Sequence, residues 1–329
     1  MHKRGRDQLP GGKASQNPLM TTTVAHVLLI FLDGIGLGED DPAHNPFAVA
    51  RTPTLHALAG GQRWLRSTPR SESARAIFIP TDACFGVEGR PQSASGQATI
   101  LTGRNVPAEI GEHYGPKPNP AIRQILKEGN LFKTLTAQGK RSALLDAFPA
   151  RFFEGIDSGK RLRSSIQQAA YEGGVPLFTQ ADLYAGRAIA ADWTGQGWRE
   201  FLGDPNAPLY TPSEAGTVLG NIARTYAFSM VSTWITDEIG HRGPFERGVE
   251  ILELFDAVMA GLLASWSDED GLILITSDHG NMEDLSVRYH TENNVPTVVI
   301  GGGRERFAEG FTSLIDITPH VLEALKAAQ

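Results

Sequence analysis

The sequence predicts an α/β fold in which helices flank a mostly parallel central sheet. Short apolar runs typical of strands alternate along the chain with segments typical of helices, and this alternation favours parallel strands joined by helical crossovers. Three of the apolar runs end at an aspartate, namely Asp33, Asp237 or Asp278. One long segment, residues 244–266, has the apolar spacing of an amphipathic helix.

The predicted elements follow one another in order. Six strands are predicted in the stretches VAHVLLIFLD, RAIFIP, RSALLDAF, YAFSMVSTWITD, GLILITSD and VPTVVIGG. A short helix is predicted in TPTLHALAG, where Thr52 suits the N-cap position and Pro53 suits the first turn. Further helices are predicted around ATILTG, over residues 244–266, and in DITPHVLEALKAA.

The middle of the chain predicts a second, smaller unit. From about residue 115 to residue 215 the sequence is rich in Gly, Pro and Trp and its periodicity is weaker. We therefore predict an inserted cap domain at 115–215 within a catalytic core formed by 23–114 and 216–329. Residues 1–22 are polar and predict a disordered tail, with Met20 as an alternative start.

Composition narrows the class of protein. The chain has 329 residues, is 41% hydrophobic and has a net charge of −7, so it lacks the basic balance typical of nucleic-acid binding. Its first apolar run, Val27 to Leu32, is too short to span a membrane, and no secretory signal precedes it. The single cysteine, Cys84, excludes an internal disulfide and favours a reducing, cytoplasmic location.

Acidic and imidazole side chains are expected to meet at one edge of the sheet. In open α/β sheets the ligand site lies beyond the carboxyl ends of the strands, where Asp33, Asp237 and Asp278 are predicted. Taken singly, an aspartate there is more often a helix cap, and a lone histidine is more often a surface residue. The joint pattern favours metal ligands, and it also includes the residues His241, His279 and His290.

This set of ligands predicts two divalent ions. Carboxylates and imidazoles without thiolates suit Mn²⁺ or Zn²⁺, and the set is larger than one ion needs. Paired ions are a common device for phosphoryl transfer. An Asp237-x-x-x-His241 pair can also meet on one side of a helical turn.

The stretch PQSASGQATILTGRN supplies candidate nucleophiles in Ser93, Ser95 and Thr99. Ser93 is predicted just before a helix that begins near Ala94, where free N–H groups and the helix dipole favour an anion. Either serine on its own is more simply explained as an N-cap.

Several stretches together resemble the alkaline phosphatase superfamily, and within it the cofactor-independent phosphoglycerate mutases and phosphopentomutases. They are LLIFLDGIGLG, NPFAVARTPTLHAL, QSASGQATILTG, DEIGHRG, TSDHGNMED and HTENNVP. The resemblance implies that one ion is held by Asp237, His241 and His290. It implies that the other is held by Asp33, Asp278, His279 and the oxygen of Ser93. Ser93 would then be the nucleophile that forms a phosphoserine, with Ser95 as runner-up.

The chain also departs from the mutases. Gln97 stands where their motif usually has a histidine, and the predicted insert is nearer to pentomutase size. The insert supplies candidate contacts for an anionic substrate at Arg151, Lys160, Arg161, Arg163 and Arg187, although each is more often plain surface charge. Three hypotheses follow. They are hydrolysis of a small phosphorylated metabolite, intramolecular phosphate transfer on a phosphoglycerate or phosphopentose, and a non-catalytic metal-binding regulatory module.

Overall fold

A seven-stranded sheet forms the centre of the molecule, in the order β2-β3-β9-β8-β1-β7-β4. The computed structural model describes residues 24–269 and 271–326, so the tail predicted at residues 1–22 lies outside the described residues. The strands are β1 His26–Leu32, β2 Ser71–Glu72, β3 Ala76–Thr81, β4 Ser142–Leu144, β5 Ala147–Phe148, β6 Phe178–Thr179, β7 Phe228–Thr233, β8 Gly271–Thr276 and β9 Val295–Gly301.

Helices cover both faces of this sheet. They are α1 Pro53–Leu58, α2 Ser93–Thr102, α3 Val106–Ile110, α4 Pro120–Glu128, α5 Leu131–Ala137, α6 Ala150–Asp157, α7 Ser165–Glu172, α8 Gln180–Tyr184, α9 Gln196–Leu202, α10 Pro212–Ala223, α11 Ile235–Arg242, α12 Phe245–Ser265, α13 Arg304–Ala308 and α14 Ile317–Ala324. One-turn 3-10 helices lie at Pro46–Ala48 and Leu314–Asp316.

The predicted fold class is confirmed by the strand directions. Strands β4, β7, β1 and β8 are parallel neighbours. The last strand, β9, runs antiparallel to β8, and β3 runs antiparallel to β9. Because β9 is reversed, its first residue, Val295, lies at the same edge as the carboxyl ends of β8 and β3. A loop that precedes β9 can therefore reach the edge where the parallel strands end.

The alternation of β1 explains why both faces are covered. Val27, Leu29 and Phe31 belong to one buried cluster, which includes residues of α2, α4, α5, α7 and α14. Leu28 and Ile30 belong to the other cluster, which includes residues of α10 and α12. A strand buried on both sides reads as a continuous apolar run, as this one does. The predicted amphipathic helix forms as α12 and buries its apolar side in the second cluster.

The predicted insert at 115–215 needs a correction at its start. Strand β4 falls inside that range, yet it pairs with β7 as the edge strand of the main sheet. Helices α4 and α5 also bury residues in the main core. A separate small cluster, with the two-stranded sheet β5-β6, lies within residues 147–207. The Gly- and Pro-rich composition did not distinguish these two parts, and a cap role for the second part stays a prediction.

Over the described residues, no helix combines the length and the hydrophobicity that crossing a membrane requires.

Candidate functional site

The parallel pair β1 and β8 brings three predicted ligands together. Asp33 follows β1 directly, and Asp278 and His279 follow β8 after one further residue. Because the strands are in register, with Phe31 opposite Thr276, the side chains converge at one edge. The Nε2 atom of His279 lies 3.3 Å from Asp33 Oδ1 and 3.7 Å from Asp278 Oδ1.

The reversed direction of β9 adds His290 to this group. The loop before Val295 returns to the same edge, and the ring of His290 stacks on that of His279 with centroids 3.7 Å apart. The Nε2 atom of His290 lies 3.5 Å from Asp237 Oδ1. A residue that precedes a strand thus joins residues that follow strands.

Asp237 and His241 reach the site from a helix. The prediction that a strand runs to Asp237 is wrong, because β7 ends at Thr233 and Trp234 turns the backbone into α11. Both residues lie in α11, four positions apart, and their Oδ2 and Nε2 atoms are 3.4 Å apart. The predicted meeting of this pair on one side of a helical turn is therefore observed. His241 Nε2 also lies 3.1 Å from His290 Nε2.

All three imidazoles are oriented in the same way. In each ring Nδ1 lies against a backbone carbonyl, so that Nδ1 is the protonated nitrogen when the ring is neutral and Nε2 is free to bind a metal. In each ring Nε2 is the nitrogen that faces the cluster. The carbonyl partners of His241, His290 and His279 are those of Arg288, Pro91 and Gly280, at 3.1, 2.8 and 3.3 Å.

Ser93 lies at the cluster and Ser95 does not. Ser93 is the first residue of α2, is 6% exposed, and its Oγ lies 3.0 Å from His279 Nε2. The Oγ of Ser95 instead accepts from the N–H of Tyr114 and donates to the carbonyl of Gln92. The two serines therefore have different surroundings, because the helix points the side chain of Ser95 away from the cluster that Ser93 contacts.

Two buried carboxylates lack the hydrogen bonds that their charge requires. Asp278 is fully buried and neither of its oxygens has a hydrogen bond, and Oδ1 of Asp33 also lacks one. Burial and the neighbouring charge of Asp33 raise the pKa of Asp278 well above its usual range. Burial lowers the pKa of His279, but the charges of Asp278 and Asp33 outweigh it and raise that pKa to about 10. Such a site calls for a cation.

The ligand atoms fall into two groups that share one residue. Asp33, Asp278 and His279 form one group, and Asp237, His279 and His290 form the other, with the ligand atoms of each group within 4.8 Å of one another. Burial acts to raise the pKa of Asp237, but the adjacent imidazole of His290 and the charge of His279 hold it below its usual range. The chemistry of the donors and the unpaired carboxylate oxygens fit divalent cations.

Asn281 and Glu283 support the site, and the sequence reading missed both. The Nδ2 of Asn281 donates to Asp237 Oδ1 at 2.7 Å. Glu283 is 1% exposed, and its Oε2 accepts from the N–H groups of Gly36 and Asn281. A signal was present, since both residues continue the stretch that begins at Asp278, but polar residues in a loop usually indicate solvated surface.

Helix α2 contributes Gln97 as well as Ser93. The Nε2 of Gln97 donates to Asp33 Oδ2 at 3.2 Å. The helix approaches so closely that a Cβ at Gly96 would lie 2.9 Å from the Cβ of Asp278. Gly34 is similarly constrained, because its φ is +71° and a Cβ there would lie 2.8 Å from Asp237 Oδ1.

The five cationic residues predicted to contact substrate lie in varied surroundings. Arg187 pairs with Asp182 at 2.8 Å. Arg163 lies over the ring of Tyr171, 4.0 Å from its centroid. Arg161 lies over Phe152, and Arg151 and Lys160 are exposed. Their role in substrate binding stays a prediction.

Lys117 is a cation near the cluster that the sequence reading missed. Burial lowers its pKa, the charge of Arg161 lowers it further, and the charge of Asp33 opposes both. Lys117 therefore lies within electrostatic reach of both Asp33 and Arg161, and Arg161 is one of the five predicted cations.

A cavity of about 640 Å³ opens over the nucleophile candidate. Ser93, Asp237, His241 and His290 all contribute to its wall. Its volume is in the range of sites for small molecules. A ligand of small-metabolite size can therefore reach the cluster from this side.

Sequence comparison identifies related proteins. Residues 213–329 match the model of the Metalloenzyme superfamily. A 2,3-bisphosphoglycerate-independent phosphoglycerate mutase of Legionella pneumophila is 32% identical over 130 residues, which is 37% of this chain and 25% of that protein. The mutase of Acetivibrio thermocellus is 35% identical over 97 residues, which is 27% of this chain and 18% of that protein. The chain thus spans about a quarter or less of these relatives.

Fold comparison extends over nearly the whole chain. The PH0037 protein of Pyrococcus horikoshii matches with a TM-score of 0.56 and 15% identity, over 92% of this chain and 97% of that one. The alkaline phosphatase of the Antarctic bacterium TAB5 matches with a TM-score of 0.52 and 15% identity, over 94% and 99%. Residues 213–329 are thus similar in sequence to the Metalloenzyme superfamily, and the chain as a whole has an alkaline-phosphatase-like fold.

Proposed function

We propose that this chain is a metal-dependent phosphoryl transferase that acts on a small phosphate ester through a phosphoserine at Ser93. The proposal rests above all on one observation, the position of Ser93. Its Oγ lies at the first residue of α2, 3.0 Å from His279 Nε2, beside the buried carboxylates and at the wall of the cavity.

Six residues of the site would bind metal ions, and Ser93 would react with the substrate. Two divalent ions, Mn²⁺ or Zn²⁺, would be held by Asp33, Asp278 and His279 and by Asp237, His241 and His290. When bound they would supply the positive charge that favours an ionised serine and a bound phosphate. The proximity of His279 to Asp237 and His290, as well as to Asp33 and Asp278, supports two neighbouring ions.

Ser93 carries the covalent step. Its Oγ gives up its proton and forms a bond to phosphorus while the bond from phosphorus to the ester oxygen breaks, and the departing oxygen takes up a proton in exchange. The amino end of α2 favours the negative charge of the phosphate, because its first N–H groups and its dipole point toward that position. Gln97 and Asn281 keep Asp33 and Asp237 in place through their amide groups.

We further propose that a second hydroxyl of the substrate takes the phosphate from Ser93, as in a phosphomutase. The names of the relatives support this alternative over hydrolysis, since both are phosphoglycerate mutases. Hydrolysis is the second candidate. It is favoured by the 36% exposed side chain of His241 at the cavity wall, which gives water a route to the site.

A panel of phosphate esters assayed with added Mn²⁺ or Zn²⁺ tests the proposal. Free phosphate would report hydrolysis, and an isomerised ester would report the mutase reaction. Ser93→Ala should abolish either product while metal binding persists, whereas the matched Ser95→Ala should keep most of the activity. A phosphorylated peptide containing Ser93, trapped with substrate and mapped by mass spectrometry, would support the intermediate. Phosphate on Ser95 or Thr99, or full activity in Ser93→Ala, would overturn it. Metal binding without turnover of any ester would favour a regulatory module.

A further inference from the structure

The cavity over Ser93 carries a cation that the proposed chemistry does not use. Arg90 lines the cavity together with Ser93, Asp237 and His290. Among the described residues that form the wall, Arg90 is the single arginine or lysine, while Glu88 and Glu112 add negative charge. A ligand with two negative groups entering this cavity would meet repulsion from both glutamates, and Arg90 is the wall residue able to offset it.

The side chain of Arg90 packs on the aromatic ring of Tyr289. Its guanidinium carbon lies 4.0 Å from the centroid of Tyr289, which is also a wall residue. Such a contact orients an otherwise mobile side chain and does not use up the N–H donors that bind a carboxylate or phosphate.

Tyr289 and Arg90 are connected to the proposed metal site through His290. Tyr289 precedes His290, and the Nδ1–H of His290 donates to the carbonyl of Pro91, which follows Arg90. Two adjacent contacts therefore join residues 90–91 to residues 289–290 at the mouth of the cavity. A shift of residues 90–91 relative to residues 289–290 would therefore move Arg90 and also His290, which is a candidate metal ligand.

The separation of Arg90 and Ser93 fits a small substrate. They are three positions apart, and Gln92 between them is extended, so their Cα atoms are at most about 10 Å apart. An arginine side chain can cover much of that span. A phosphate at Ser93 and a second anionic group at Arg90 would then belong to one compact molecule.

We propose that Arg90 binds a second anionic group of the substrate and that Tyr289 is the positioning residue that holds it there. The inference deepens the proposed function and rests on it, since it takes a phosphate ester as the ligand. It selects esters that carry a carboxylate or a second phosphate over esters with a neutral remainder.

Binding without turnover tests this directly. The Ser93→Ala chain, loaded with Mn²⁺, is titrated calorimetrically with 3-phosphoglycerate and with glycerol 3-phosphate, which lacks the carboxylate. We expect 3-phosphoglycerate to bind about 10- to 100-fold more tightly, as for a charged hydrogen-bonded contact. Adding Arg90→Gln should remove that preference and leave the affinity for glycerol 3-phosphate within about 3-fold. Arg51→Gln, at an exposed arginine whose partner Glu253 is 3.6 Å away, is the matched control and should change neither.

Variants of Tyr289 separate a positioning role from a structural one. Tyr289→Phe should keep the preference because it keeps the ring, and Tyr289→Leu should reduce it by about 3-fold or more. Equal affinity for the two esters, a preference that survives Arg90→Gln, or binding of neither ester would overturn the inference. A chain that shows the preference but transfers no phosphate refutes the proposed function alone.

Discussion

The imidazoles of His279 and His290 lie face to face, with ring planes 15° from parallel and centroids 3.7 Å apart. His279 thereby stands between two groups of ligand atoms, one with Asp33 and Asp278 and one with Asp237 and His290. The cluster is one continuous unit, so that a change at the shared residue should reach both halves.

Replacing His279 should therefore weaken metal binding more than replacing His241, which lies at the edge of the cluster. We predict that His279→Ala weakens binding of the ion at Asp33 and Asp278 by more than about 100-fold, because that ion loses a direct ligand, and that it also weakens binding of the second ion, because His290 loses the ring on which it stacks. His241→Ala should weaken one ion, because His241 contacts only Asp237 and His290 within the cluster. Metal analysis after dialysis against a graded chelator measures both. Loss of a single ion in His279→Ala would contradict the sharing.

Asn281 should matter although it is not an expected ligand. We predict that Asn281→Ala lowers metal affinity about 10- to 100-fold, because Asp237 loses the 2.7 Å hydrogen bond that orients it. Asn206→Ala, at an exposed position, is the control. Competition with a fluorescent chelator gives the affinity. An unchanged value in Asn281→Ala would mean that the helix alone orients Asp237.

Removing metal should reverse which is more stable, the unaltered chain or the Asp278→Asn variant. With metal, Asp278→Asn should be less stable than the unaltered chain, since binding to the folded state stabilises it by about 4 kcal/mol at 1,000 times Kd. In chelator, Asp278→Asn should be at least as stable, because the buried carboxylate then lacks hydrogen bonds at both oxygens. Thermal unfolding with and without chelator measures the two orders. The same order under both conditions would argue against a cation at Asp278.

Asp146, which is not one of the expected metal ligands, should make stability depend on pH. Burial raises its pKa to about 7 in the folded chain, against hydrogen bonds from the backbone and hydroxyl of Ser232. An aspartate with a raised folded pKa binds more protons when folded, so its contribution to stability is lost as pH rises from about 4 to about 7. Above that range the penalty is constant.

The variant Asp146→Asn removes this dependence. We predict that it raises the free energy of unfolding by roughly 2–3 kcal/mol more at pH 8 than at pH 5. Urea unfolding of both chains at the two pH values measures this, and contributions from metal cancel in the comparison. A gain that is equal at both pH values would show that Asp146 is ionised throughout.

The sequence predicted what depends on local pattern. The apolar runs at β1, β8 and β9 and the periodicity of α12 led to the correct elements, and the fold class followed. Asp33, Asp278 and His290 were expected at one edge, and they lie there. Trp234, Ile235 and Thr236 misled the assignment of Asp237, since these strand-favouring residues continue β7 without a breaker and yet begin α11.

The rest depends on contacts that no local pattern carries. Strand β4 was assigned to an insert because it lies within the Gly-, Pro- and Trp-rich range 115–215, whereas its pairing with β7 is decided by the sheet. Arg90 was also missed in the sequence, because its possible role depends on contacts with residues distant along the chain. An exposed arginine becomes informative only when its ring partner, Tyr289, and the cavity wall are known.

The hairpin-like connection from β8 to β9 has a consequence for folding. Its loop, residues 277–294, supplies Asp278, His279, Asn281 and His290 from one continuous piece of chain, between strands that are also neighbours in the sheet. Closing a loop of this length costs little more entropy than closing a shorter one. Half of the site can thus assemble as a local event of low contact order, and only Asp33, Ser93 and α11 have to arrive from distant sequence.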